Sequence, residues 1–103
     1  MQIITVYRQH VHDHVEGRDY DTYTLEDAGY SDVRHKQGSD LIMLSKDPAQ
    51  VTGYLQAPDD AQVAFTDDGD LRLWVGKHSW SAAEIIAGAV ASELGSAYRY
   101  RSA

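Results

Sequence analysis

The sequence predicts an α+β fold: a mainly antiparallel sheet of four to five strands with two main helices packed on one face. Three observations predict it. Short apolar or alternating stretches recur along the chain, and turns rich in Gly and Asp bound them, such as Gln37-Gly38-Ser39-Asp40 and Asp67-Asp68-Gly69-Asp70. Helix-capping sequences stand at Asp47-Pro48-Ala49-Gln50 and at Ser81 with Glu84. The most apolar stretch, residues 71–95, reads as a strand followed by a single helix.

Residues 2–15 read as one strand, bent near Gln9. Ile3, Thr5, Tyr7, Gln9, Val11, Asp13 and Val15 share one face, and Ile4, Val6, Arg8, His10, His12, His14 and Glu16 share the other. The first half is apolar on both faces, as in a central strand. The second half sets three histidines opposite Val11 and Val15.

Residues 16–23 read as a loop with a short strand around Tyr20–Tyr23, and Thr24-Leu25-Glu26-Asp27 as a helix start that Gly29 stops. Tyr30 to Lys36 is a modest strand candidate, and Leu41-Ile42-Met43-Leu44 fits a strand covered on both faces. Asp47 and Pro48 then open a helix whose Val51, Tyr54 and Leu55 face the core, and Pro58 ends it. Gln62 to Thr66 is a strand, and the turn at 67–70 returns the chain into Leu71 to Lys77. In that strand Leu71, Leu73 and Val75 point one way, Arg72 and Trp74 the other.

The last helix starts at the Ser81/Glu84 capping box and stops at Gly95, a residue suited to a left-handed C′ position. Ala82, Ile85, Ile86, Ala89, Val90 and Leu94 line its core face. Ala83, Ala87, Gly88 and Ala91 form a second ridge of small residues. That ridge either packs under another part of the chain or serves as a self-association surface. Residues 96–103 add a frayed edge strand or stay a mobile tail.

The 103 residues suit one globular domain, residues 1–103. With no cysteine, disulfides, zinc–thiolate sites and a cysteine nucleophile are excluded. No basic segment followed by a long apolar one marks the N-terminus, so a cytoplasmic location is expected, and no membrane contact. A net charge of −7 argues against binding to nucleic acid phosphates and favours a protein partner with a basic surface.

One cluster carries a chemical hypothesis. On a strand, His10, His12 and His14 stand in a row with Cα atoms about 7 Å apart, and imidazole suits zinc and other divalent transition metals. Asp13, Glu16, His35 or His78 could complete a site with room for a metal-bound water. The plain alternative is the solvated face of a strand end; a third is a pH response, since neighbouring imidazoles repel when protonated. The run His10-Val11-His12-Asp13-His14 resembles the His-x-His-x-Asp-His motif of metallo-β-lactamase-like hydrolases. It lacks the spacer between His12 and Asp13, and that family is not carried over.

Other features are structural. His78-Ser79-Trp80-Ser81 sets a base beside hydroxyls, but a helix entry with Trp80 as staple accounts for it. Tyr98-Arg99-Tyr100-Arg101 interleaves aromatics and cations as single-strand binders do, yet tyrosines docking on the body explain it as well. Tyr20, Tyr23, Tyr30 and Tyr54 are half-buried sheet residues or a binding surface. No phosphate-binding loop, dinucleotide fingerprint or nucleophile elbow is present, and no cofactor beyond a transition metal is expected. The expectation is a small acidic, non-enzymatic interaction or regulatory module, with a homodimer through Ala83, Ala87, Gly88 and Ala91 as one form. The alternative is a metal-binding protein or metal-dependent hydrolase built on His10, His12 and His14. An acidic mimic or immunity-type partner of a basic protein is the third reading.

Overall fold

A computed structural model of the chain describes residues 1–26, 44–46 and 48–103. Eight strands and two short helices occur among them: β1 (Gln2–Asp13), β2 (Arg18–Thr24), β3 (Leu44–Lys46), β4 (Gln50–Ala57), β5 (Gln62–Phe65), β6 (Leu71–Val75), β7 (His78–Trp80), α1 (Ala82–Ile86), α2 (Ala89–Leu94) and β8 (Arg99–Ser102). Every strand pairing is antiparallel, as expected. The strands form two sheets rather than one. The larger has five strands in the order β2-β1-β4-β8, with β3 also on β1; the smaller runs β5-β6-β7.

β1 is the centre of the larger sheet because its first half is apolar enough to be covered. Ile4 and Val6 are fully buried, and opposite them on β4 stand Leu55 and Gly53. Between Val6↔Gly53 and Tyr7↔Val51 the register shifts, leaving Thr52 as an extra residue in a bulge. Leu71 and Leu73 of the small sheet, Ala82 and Ile85 of α1 and Val90 of α2 join the same core. Each large aliphatic side chain buried there contributes about 1.5–3 kcal/mol relative to exposure.

Several expectations are corrected. The first strand ends at Asp13 rather than at residue 15, and most of the stretch 16–23 read as a loop belongs to strand β2. The stretch after Pro48 is strand β4, not a helix. Its buried residues alternate as Gly53, Leu55 and Ala57, while Val51 and Tyr54, placed in the core by a helical reading, are 40% and 45% exposed. Pairing to β1 on one side and β8 on the other decides the conformation. The helix expected over 81–94 is divided at Gly88, whose φ of 87° is left-handed and closed to a helix interior. The Ser81/Glu84 capping box is present as read, and Gly95 ends α2 with φ 88°. The third strand of the small sheet, β7, was not anticipated; a turn at Gly76-Lys77 separates it from β6, so the strand expected to run to Lys77 stops at Val75. Residues 99–102 take the edge-strand alternative. The helix start expected at Thr24 is corrected too: Thr24 ends β2, and Leu25 and Glu26 are not helical. The rest of that expected helix, the Tyr30–Lys36 strand, the turn at 37–40 and residues 41–43 lie outside the described residues. No helix among those described is long and apolar enough to cross a membrane.

Candidate functional site

Two surfaces of the larger sheet carry the side chains of interest. The first is the ribbon of β1 and β2. Asp13 shapes the turn between them: its carboxylate accepts from the Val15 and Glu16 amides at 2.9 and 3.2 Å, and its carbonyl from Gly17 at 2.8 Å. That turn sets the register His10↔Asp21 and His12↔Asp19, which puts two imidazoles beside two carboxylates on one face.

The four groups interlock. His10 Nδ1 lies 3.0 Å from Asp21 Oδ1, and its Nε2 lies 3.5 Å from Asp19 Oδ2. His12 Nδ1 hydrogen-bonds the other oxygen of Asp19. Arg8 extends the row, 3.8 Å from Asp21 and donating to Gln50 at 3.0 Å. The hydrogen bond to Asp21 holds the His10 pKa above the ordinary imidazole value, outweighing the opposing effect of desolvation, and Asp19 adds to the rise. The hydrogen bond from His12 holds Asp19 below the ordinary carboxylate range.

His10 and His12 are thus brought together, and His14 is not the third of their row. It sits in the turn, its ring edge-on to His12 with centroids 4.5 Å apart. The expected completing ligands are elsewhere. Asp13 serves the turn, Glu16 pairs with Arg18 at 3.5 Å, His78 lies in the small sheet against Trp80, and His35 is outside the described residues. Among the described residues no three His, Cys, Asp or Glu side chains are arranged as they stand to hold a metal ion. Asp19 and Asp21 were missed. The signal was there: acidic residues alternate in β2 as histidines do in β1, a short turn away.

The second surface is the face of the larger sheet turned away from the core. Cross-strand neighbours point to the same side, so Ile3 and Gln56, Thr5 and Tyr54, and Tyr7 and Val51 share it. On this face Ile3 is 53% exposed, and Tyr54 opposite Thr5 and Val51 opposite Tyr7 are exposed too. β8 continues this face with Arg101 beside Tyr54 and Arg99 beside Gln56, both exposed.

The remaining candidates are placed as follows. Ala83, Ala87 and Ala91 are exposed and Gly88 is half-buried, but the break at Gly88 prevents one straight ridge. Ser79 accepts from Arg72 at 2.9 Å and Ser81 caps α1, so neither hydroxyl meets His78 in the manner of a nucleophile. Tyr98 is buried and Tyr100 packs against the core, which leaves neither ring as a stacking platform. Tyr20 lies half-buried under the Arg18 guanidinium.

No family model matches the chain, and comparison with characterised proteins and with solved structures gives no match.

Proposed function

We propose that this chain is a non-enzymatic protein-binding module that docks its partner on the outer face of the larger sheet. One observation carries the reading. Ile3, Val51 and Tyr54 are large, apolar and exposed on neighbouring strands, where a core-facing pattern would have buried them. Exposed apolar groups spaced along neighbouring strands of one sheet face, with Tyr and Arg among them, support a docking surface. The test is panning of a random-peptide display library on the immobilised, untagged protein. Enriched peptides should bind the wild type, lose Tyr54→Glu and keep Ala87→Glu. Enriched peptides that bind Tyr54→Glu undiminished would remove this face; light scattering of the same proteins reports whether a second copy occupies it.

A metal-binding reading is kept because His10 Nε2 and His12 Nδ1 both face the carboxylate of Asp19. Two imidazoles and one carboxylate are a donor set for zinc, provided the side chains open to ligand separations of about 3.3 Å around bonds of about 2 Å. Calorimetric titration of untagged protein with zinc tests it. The reading expects stoichiometric binding that His12→Ala abolishes, and an absence of binding by the wild type rejects it.

A further inference from the structure

The acidic total conceals a local reversal of charge. Among the described residues Arg8, Arg18 and Arg72 each have a carboxylate partner, at 3.8, 3.5 and 3.0 Å. Arg99 and Arg101 have none there, although the chain carries 16 acidic residues against 9 basic ones. Both project from β8 at alternate positions, so their Cα atoms are about 7 Å apart on one side of the strand.

β8 is also an edge. It pairs with β4 from Gly53↔Ser102 to Gln56↔Arg99, and no described strand follows it on the other side. Among the described residues no strand pairs with its outward amides and carbonyls, the groups that a further strand would use. The two faces of β8 differ in chemistry. Arg99 and Arg101 lie on the outer one. On the inner one, beside Tyr100, a cleft of about 250 Å³ opens between the sheet and the helices, lined by Leu55, Ile86, Val90 and Tyr98, with Ser96 and Arg99 also contributing to its wall.

We infer that the free edge of β8 accepts an extended acidic segment of a partner protein by strand addition. Carboxylates at alternate positions of the segment meet Arg99 and Arg101, and the apolar residues between them turn into the cleft. The inference rests on the binding-module reading and specifies the sequence that the partner presents. Backbone hydrogen bonds supply attachment and the alternate side chains supply selection, as in other strand-addition complexes. A second copy does not fit the edge. Antiparallel pairing of two β8 strands centred on Tyr100 sets arginines against arginines, and like charges opposite one another are unfavourable. A nucleic acid strand matches the cations but offers neither the backbone pairing nor the apolar alternation.

The experiment titrates the full chain with a capped peptide of alternating Glu and Leu. Controls are the same peptide with Lys for Glu, one with prolines at the leucine positions, and oligothymidylate. Calorimetry gives affinity, and amide chemical shifts give the location. The Glu/Leu peptide should bind with the largest shifts at residues 99–102. Binding should weaken about tenfold or more in the double variant Arg99→Gln/Arg101→Gln, weaken with added salt, and persist in Arg18→Gln. Loss of binding to the proline peptide shows that the alternate leucine residues, through their amides and side chains together, are needed. Equal binding of the Lys peptide, shifts elsewhere on the sheet, or oligothymidylate binding that the arginine variant abolishes would each overturn the inference. If the Glu/Leu peptide fails while library peptides still bind in a Tyr54-dependent way, the β8 inference falls and the binding-module reading stands. Failure of both sets of peptides removes both.

Discussion

The phenol of Tyr100 in β8 lies over the bare Cα of Gly53 in β4. A side-chain carbon at position 53 would collide with the Tyr100 hydroxyl and with the Arg101 carbonyl. Glycine is needed here for close approach, not for an unusual backbone angle. The contact seats β8, and so the arginine-bearing edge, against the sheet. Gly53→Ala should cost about 1–3 kcal/mol by overpacking and loosen β8. Urea denaturation and amide exchange at residues 99–102 would show it, whereas unchanged protection of β8 would contradict the role given to Gly53. The hydroxyl itself is buried with no hydrogen-bond partner among the described residues, and burial raises its pKa. Tyr100→Phe should therefore leave stability unchanged or slightly raised.

Gly88 makes the opposite demand. A Cβ there would meet nothing within 4 Å, but the φ of 87° is costly for any side-chain-bearing residue. Gly88→Ala should destabilise by about 1–2 kcal/mol, and Gly88→Asn by less, because Asn tolerates the left-handed region. If the two variants unfold at the same urea concentration as wild type, the division between α1 and α2 is not required.

The capping box gives a pH dependence. The Ser81 amide donates to Glu84 at 2.8 Å, the Glu84 amide donates to Ser81 Oγ at 3.2 Å, and Arg72 bridges to the same carboxylate at 3.0 Å. The hydrogen bond from the Ser81 backbone is the main reason the Glu84 pKa is lowered, with Arg72 contributing. A lowered folded-state pKa means that the stabilisation is complete above the ordinary glutamate value of about 4.3 and is lost as pH falls through the lower folded value. Wild type should exceed Glu84→Gln in stability near neutrality, and the difference should close in acid. A difference that does not change with pH would contradict the assignment. Ser81→Ala, which removes the reciprocal half, should cost about 1 kcal/mol.

These elements differ in how far they were legible from residues alone. The Ser81/Glu84 box, Gly95 and the alternation of β1 depend on neighbours a few positions away, and they were read correctly. β4 was misread because Val51, Tyr54 and Leu55 fit a helical spacing as well as a strand, and Asp47-Pro48 imitates a helix entry. The decision came from β1 and β8, which are distant in sequence. The same holds for the surfaces. The histidine row was visible, but its partners Asp19 and Asp21 follow from a register that the turn after Asp13 sets. The net charge pointed to a basic partner, while the two arginines with no carboxylate partner among the described residues surface only when β8 is placed in the sheet.

The most direct test of docking on the sheet face is the affinity of one library-selected peptide for wild type and for Tyr54→Glu, by calorimetry at matched salt. A buried charge in place of an aromatic anchor should weaken binding at least about tenfold, equivalent to 1.4 kcal/mol, with the variant's circular dichroism unchanged. Equal affinity for the two folded proteins would contradict the account.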